Sequence, residues 1–474
     1  MEPFSLKVRP KNPIKLQFAL PHAMTDTIIA QSTPSGQSAL ALVRISGPLC
    51  TSIAAGALAL PCPTPRKSYL SEYRSTEQNE IIDQVMAVYF SEGKSFTGDA
   101  TLEISCHGNS LIVERMLQDL LGRGCRIAHP GEFSRRAFMA GKIDLTQAES
   151  IAELISARSD AELKIANSNL KGILSREVKS LQSSILGMQA LLEASLDFPE
   201  EEIEEESQAS LIDEMNSIAN RMEHFIKNSH KKKHLSHTLK VLLLGPPNAG
   251  KSTIFNSMLG HERALVSETP GTTRDYISQE MIAGDYRIEL IDSAGIRNSN
   301  NETEALGVSN SLGLIDDASL VLFVTDGSLP YPTEFHDMVS KIISKKDTIV
   351  IENKDDLPKD GSVRNYPPHA NLITVCAHDS DSMDEVIKST AKHFSNKFPF
   401  DPAKDIIVNA RHADLLNKAY DRLTHAKKLL ETNEGIEIVL QELNHCRSYV
   451  DGIIGSKTNE DVLDLLFNQF CIGK

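Results

Sequence analysis

Residues Gly245 to Ser252 read Gly-Pro-Pro-Asn-Ala-Gly-Lys-Ser and directly follow the apolar run Val241 to Leu244. A strand, a glycine-bearing loop and then a helix is the context in which backbone N–H groups and a helix N-terminus cradle phosphates. Lys251 can reach the β- and γ-phosphates, and the Ser252 hydroxyl can hold Mg²⁺. Asn248, Ala249, Gly250 and Thr253 complete the loop and the opening of the helix. About a hundred residues further on, Asn353-Lys354-Asp355-Asp356 follows a second apolar run, Thr348 to Ile351. A carboxylate at Asp356 can accept two N–H bonds from the N1 and N2 edge of guanine. Adenine offers no such pair, and a site left unpaired in this way rejects the wrong base by about 10⁴-fold or more.

Between the two strings lies Asp292-Ser293-Ala294-Gly295, after Ile288 to Ile291. Asp292 belongs in the outer shell of Mg²⁺, and the Gly295 N–H is placed to sense the γ-phosphate. Gly271-Thr272-Thr273-Arg274-Asp275 supplies a switch threonine, and Thr273 is assigned to Mg²⁺. Val375-Cys376-Ala377 lies where GTPases carry a Ser-Ala loop over the base; Cys376 retains the backbone part of that contact. Five elements in this order predict a GTP-hydrolysing domain. The residue after Gly295, where Ras-like proteins carry a water-orienting Gln, is Ile296. Orientation of water and positive charge must come from elsewhere. Asn248, Arg297 and Glu304 are the groups near enough in sequence to be considered.

The chain of 474 residues is long enough for about three domains. Its formal charge of −15 argues against a chain-wide electrostatic scaffold for nucleic acid. Seven scattered cysteines fit a reducing, cytoplasmic setting, and no apolar run approaches the ~20 residues that span a bilayer. Residues 1–23 read as a poorly ordered extension. Residues 24–143 alternate strand-like runs with turns: Thr27 to Ala30, Ala39 to Ile45, Gln84 to Phe90 and Thr101 to Ser105, with a helix over Ser110 to Leu121. Residues 144–237 and 399–474 carry helical spacing and predict one discontinuous helical domain, with Thr146 and Glu149 read as a capping box. Ile151, Leu154, Ile155, Ile173, Leu174, Val178, Leu181 and Ile185 are its expected apolar positions. Residues 238–398 form the insert. Glu200 to Glu206 reads as a solvated turn, and Lys231-Lys232-Lys233 as a linker.

Strings outside the insert now matter: Leu42-Val43-Arg44-Ile45-Ser46-Gly47, Ser95-Phe96-Thr97-Gly98-Asp99, Pro130-Gly131-Glu132-Phe133, Lys142 to Glu149 and the terminal Phe470-Cys471-Ile472-Gly473-Lys474. With them, the chain resembles the MnmE (TrmE) family of tRNA-modification GTPases from Thr25 to Lys474. The resemblance implies a multidomain fold, α/β plus all-α. Its parts are an N-terminal α/β folate-binding domain that dimerises, a helical bundle domain and an inserted Ras-like P-loop GTPase domain. It implies work with the flavoprotein MnmG (GidA), which brings the FAD, in a heterotetramer that modifies C5 of the wobble uridine of certain tRNAs. The one-carbon unit comes from 5-formyl- or 5,10-methylene-tetrahydrofolate.

Carried over residue by residue, the resemblance implies folate contacts at Arg44, Glu103, Lys142 and Lys474. It implies K⁺ held by Asn248, Ser267, Thr269 and Thr272 where two GTPase domains pair, in place of an arginine finger. Mg²⁺ falls to Ser252 and Thr273. Glu304, twelve residues after Asp292, matches the catalytic glutamate, with Arg297 next in line. Cys471 is placed at the folate-dependent centre. The departures are a thinner glycine turn at Ser35-Gly36-Gln37-Ser38-Ala39, Asn109 in place of a second Gly after Cys106-His107-Gly108, and Ser293 for a common Thr. The nucleotide motifs alone fit a pure regulatory switch equally well. The folate-domain strings and Cys471 separate the two readings, because a switch has no need of them.

Overall fold

The computed structural model describes residues 26–197, 205–261, 277–292, 314–330, 342, 344–359, 371–401, 405–456 and 460–473. Two compact units divide the chain: Met1–Ile143 with Asn459–Lys474, and Asp144–Thr458. In the first, β1 (Ile28–Gln31), β2 (Ser38–Ser46), β3 (Ser68–Arg74), β4 (Ile81–Phe90), β5 (Thr101–Gly108) and β6 (Arg126–Ile127) form one sheet in the order β3-β4-β5-β2-β1-β6. Side chains alternate between its faces. Ala41, Val43 and Ile45 of β2 and Leu102, Ile104 and Cys106 of β5 are buried in one core with residues of α1 (Cys50–Leu58) and α2 (Ser110–Gly122). Arg44 and Glu103 therefore emerge on the opposite face, directly opposite each other in the antiparallel β2–β5 register. Asn109, the departure noted above, caps α2: its side chain accepts from the Leu111 N–H at 2.9 Å. Helix α3 (Glu132–Met139) follows β6.

The second unit begins with α4 (Leu145–Ser156), α5 (Asp160–Leu170), α6 (Ile173–Asp197) and α7 (Glu205–Ser236). A second sheet follows, built from β7 (Leu239–Leu244), β8 (Ile277–Ala283), β9 (Tyr286–Asp292), β10 (Leu320–Asp326), β11 (Thr348–Asn353) and β12 (Asn371–Thr374) in the order β12-β11-β10-β7-β9-β8. Its pairs are parallel except β8–β9. The central strands β7, β10 and β11 read as near-continuous apolar runs because both their faces are covered. Helices α8 (Lys251–His261) and α9 (Ser380–Lys397) belong to this part, and α10 (Ala410–Glu431) and α11 (Ile436–Ile454) come after it.

Leu174, Val178, Leu181 and Ile185 of α6 and Met215 and Met222 of α7 share one apolar core with Leu416 and Leu423 of α10 and Leu443 and Val450 of α11. Chain segments on either side of the insert thus build one bundle. Ile155, an expected apolar position, is 49% exposed. The three lysines 231–233 fall within α7 and are no linker, because the helix runs on to Ser236, three residues before β7. Of the acidic run, Glu205 and Glu206 open α7, and residues 200–204 lie outside the described residues.

One capping reading changes. The cap of α4 is Asp144 with Gln147, not Thr146 with Glu149: the Gln147 N–H donates to Asp144 Oδ1 at 3.1 Å, and the Asp144 N–H donates to Gln147 Oε1 at 3.0 Å. Thr146 instead lies one step inside, donating to Asp144 Oδ1 at 2.7 Å. Asn459–Lys474 groups with the first unit, because α12 (Glu460–Phe467) turns Leu463 and Phe467 inward and sets the Phe467 ring 6.4 Å from that of Phe138 on α3. Arg135 pairs with Asp464 at 2.7 Å.

Glu149, freed from capping, is buried and receives four donors. Arg411 Nε reaches Oε1 at 2.6 Å, while Arg411 Nη2 and Asn409 Nδ2 each reach Oε2 at 3.1 Å. His412 Nε2 lies 2.6 Å from Oε2. Arg411 also donates to the carbonyls of Gly452 and Ile453 at the end of α11. Burial opposes the charge on Glu149, but His412 and Arg411 outweigh it and hold the carboxyl at about 2, below its ordinary 4.5. Removing one partner of such a pair strands the others, so Glu149→Ala should destabilise the bundle by about 3–5 kcal/mol in urea unfolding. A depressed carboxyl stabilises fully above its unfolded value and loses that contribution as pH falls through the folded one. Wild-type stability should therefore drop between pH 4.5 and about 2, and the variant should show a flatter slope there.

Candidate functional site

The loop between β7 and α8 takes its shape from backbone constraints. Asn248 has φ +62° and Gly250 φ +96°. Gly245, at φ +148°, passes so close to β10 that an added Cβ would lie 2.0 Å from the Val324 carbonyl oxygen. Lys251 is 9% exposed, and its Nζ donates to the carbonyls of Gly245 at 3.0 Å and Pro246 at 2.9 Å. Burial lowers its pKa, an effect that the carboxylate of Asp292 opposes. The ammonium thus sits inside the arch of its own loop, where a phosphate chain would meet it. Ser252 Oγ donates to Asp292 Oδ2 at 2.7 Å, and Asp292, at the end of β9, is 2% exposed. A hydroxyl aligned on a buried carboxylate suits a hydrated Mg²⁺.

Asn353 is the joint of the site. Its Nδ2 donates to the Ala249 carbonyl at 2.9 Å, and its Oδ1 accepts from the Ala377 N–H at 3.0 Å. One buried amide therefore ties the phosphate loop to the loop carrying Cys376 and Ala377. Lys354, in the left-handed region at φ +67°, is held by Asp326 at 2.6 Å. Burial would raise the Asp326 pKa, but Lys354 and Ser328 lower it overall. Asp355 and Asp356 are exposed, leaving the Asp356 carboxylate open to a base, and Cys376 is half-buried. The sequence reading named Asn353 and Lys354 but not Asp326; a carboxylate at the end of the neighbouring strand β10 was the signal available.

Ser267, Thr269, Thr272, Thr273, Ser293, Ala294, Gly295, Arg297, Glu304 and Lys474 lie outside the described residues.

In the first unit the structure brings Arg44 and Glu103 together. Arg44 Nη2 and Nε approach Glu103 Oε1 at 2.8 and 2.9 Å, and the guanidinium lies 5.7 Å from the centre of the Phe133 ring. The remaining Arg44 nitrogen, Nη1, donates to the Gly473 carbonyl at 3.2 Å, so the C-terminal tail joins the pair. Cys471, two residues before, is exposed. Lys142 instead donates to the Gly93 carbonyl.

The parallel sheet, the phosphate loop, the Ser252–Asp292 pair and the Asn353-Lys354-Xaa-Asp356 turn define a P-loop GTPase. Known proteins carry the assignment further. The model of the MnmE helical domain matches residues 145–471, and that of the GTP-binding protein TrmE N-terminus matches 27–142. The tRNA modification GTPase MnmE of Opitutus terrae is 37% identical over 95% of this chain and 99% of its own length. That of Geobacter sulfurreducens is 35% identical over the same shares, and that of Haemophilus influenzae is 32% identical over 95% and 100%. Among solved structures, the G domain of the T. maritima FeoB iron transporter aligns at a TM-score of 0.25 and 20% identity, covering 34% of this chain and 99% of that one. The chain belongs to the MnmE family of tRNA modification GTPases.

An added Cβ at Gly250 would lie 2.1 Å from Asn353 Nδ2. Gly250→Ala should therefore break the bridge between the loops as well as strain the backbone, and weaken GTP binding by about tenfold or more. Titration with a fluorescent GTP analogue checks this, and unchanged affinity would show that the bridge does not shape the site.

Proposed function

We propose that this chain hydrolyses GTP in order to drive modification of the wobble uridine of tRNA at C5. The product carries an aminomethyl or carboxymethylaminomethyl group whose one-carbon unit comes from 5-formyl- or 5,10-methylene-tetrahydrofolate. The observation that carries the reading is the presence of two chemically distinct centres in one family chain. One is the phosphate loop with its Ser252–Asp292 pair; the other is the Arg44–Glu103 pair joined to the Cys471 tail. A GTPase acting only as a switch has no use for the second.

At the first centre, Ser252 and Thr273 hold Mg²⁺, Lys251 moves from its own loop carbonyls to the phosphates, and Asp356 selects guanine. Asn248, Ser267, Thr269 and Thr272 hold K⁺ when two copies of the insert pair. The ion supplies positive charge at the transferring phosphoryl group, the task for which other GTPases use an arginine worth about 10³–10⁵ in rate. Glu304 orients the attacking water, and Arg297 is the next candidate for that task; Ile296 offers no polar group for it. Asn248 holds a left-handed backbone, a conformation that a short amide residue adopts more readily than most.

At the second centre, Arg44, Lys142 and Lys474 suit the carboxylates of a folate tail, and Glu103 suits the N–H edge of its pterin. Burial of Arg44 and Glu103 to 19% and 26% side-chain exposure favours a shared pair over two independent ligands. Binding therefore opens or shares that pair. Cys471 acts there as nucleophile, acid–base group or positioning group. The functional assembly is a homodimer joined to the flavoprotein MnmG, which brings FAD, with tRNA as substrate of the complex. The setting is cytoplasmic. Among the described residues, no helix is long and apolar enough to cross a membrane.

Two measurements test this. Steady-state GTP hydrolysis should be faster in KCl than in NaCl at equal ionic strength, and Asn248→Ala should abolish the difference; equal rates for the wild type would remove the potassium assignment. Mass spectrometry of wobble nucleosides from cells lacking the gene should show loss of the C5 group, restored by the wild-type chain but not by Cys471→Ser. An unchanged nucleoside profile in those cells would sink the modification reading.

A further inference from the structure

The tail that bears Cys471 is fixed at the backbone on both sides of the thiol. The Gly131 N–H donates to the Cys471 carbonyl at 3.4 Å. Two residues on, the Gly473 carbonyl accepts from Ser32 Oγ at 3.1 Å and from Arg44 Nη1 at 3.2 Å. Both glycines are in the left-handed region. An added Cβ at Gly131 would lie 2.5 Å from the Phe467 carbonyl oxygen, and one at Gly473 would lie 2.7 Å from that of Gln31. The chain can come this close at these two points only without side chains. Phe467 and Phe470 are buried just before the thiol, with ring centres 5.4 Å apart. The Cys471 side chain itself is exposed. Packing thus holds the segment before the thiol, hydrogen bonds hold the backbone at and after it, and the sulfur stays open.

We propose that Ser32 and Gly131 are positioning residues for Cys471, presenting its thiol in one orientation beside Arg44. The inference rests on the reading that Cys471 and Arg44 serve the folate-dependent centre. Arg44 links the two roles, because one guanidinium holds both Glu103 and the tail. Neither Ser32 nor Gly131 touches substrate in this scheme; each acts through the tail backbone. Misplacing a reacting group by about 1 Å can cost on the order of 10²-fold in rate. Two weak hydrogen bonds can therefore matter far more to turnover than to folding.

The test uses the full chain with Ser32→Ala, Ser32→Thr, Gly131→Ala and Cys471→Ser. Three readouts are taken: modified wobble nucleoside in cells lacking the native gene, GTP hydrolysis, and alkylation of individual cysteines by N-ethylmaleimide, read by peptide mass spectrometry. Ser32→Ala and Gly131→Ala should lower modification by about tenfold or more while GTP hydrolysis holds. Ser32→Thr keeps the hydroxyl and should restore modification. Freed of its anchor, Cys471 should react faster in the Ala variants. Cys50, Cys106, Cys125 and Cys446, all buried, should stay protected, which distinguishes a loosened tail from a loosened fold. Wild-type modification in both Ala variants, with none in Cys471→Ser, would overturn the positioning role while leaving the centre intact. Full modification by Cys471→Ser would overturn the underlying reading of the thiol, and the positioning role with it. Equal labelling of the buried cysteines in the Ala variants would also overturn the proposal, reducing Ser32 and Gly131 to structural residues.

Discussion

A domain inserted into a helical bundle separates two halves of one core by more than 160 residues of chain, and something must hold those halves in register. Here that constraint falls on one buried carboxylate. Glu149, on α4 before the insert, is gripped by Asn409, Arg411 and His412 at the start of α10, after it. The same arginine closes onto the carbonyls that end α11. Apolar packing of α6 and α7 against α10 and α11 supplies most of the burial, but it is non-directional. The carboxylate fixes which turn of α10 meets α4. Nearby, Asn169 Nδ2 donates to the Ile407 carbonyl at 3.2 Å, so the chain is guided before it reaches Asn409.

The nucleotide loops follow a similar economy. Three segments far apart in sequence converge because Asn353 occupies the end of β11 with both ends of its amide in use. Gly250 is glycine for the sake of Asn353 as much as for a phosphate. Lys354 is steered by Asp326, the last residue of the next strand. Parallel strand order places all these chain ends on one edge of the sheet, and that is why short motifs spread over more than a hundred residues form one site.

Much of this was legible before any coordinates. Apolar runs gave β7 and β11, and helical spacing gave α6. The phosphate loop and the base-recognition turn were readable because their residue types are dictated by ligand chemistry. Other features had no comparable local signal. Strand β3 and helix α1 were missed: Ser68–Arg74 lacks regular alternation and buries only Tyr73, and Cys50–Leu58 is a short run of small residues. Thr146 and Glu149 have capping-box spacing, and so do Asp144 and Gln147. Only the demand of Arg411, more than 260 residues away, decides between them. Only the family resemblance placed the last residues with Arg44; no local signal did, because their docking depends on the absence of side chains at Gly131 and Gly473. Backbone proximity leaves no trace in a hydrophobic pattern.

Helix α7 deserves a mechanical reading. It spans 32 residues, about 48 Å at 1.5 Å per residue. Its Leu235 is buried in the core of the inserted sheet, while Met215 and Phe225 are buried in the bundle. Such a rod is a lever with one arm embedded in each body. A tilt of only about 5° at one end displaces the other by about 4 Å, over this length. Motion at the phosphates therefore need not be large to be felt far along the bundle, and stiffness in this one rod sets how faithfully it arrives.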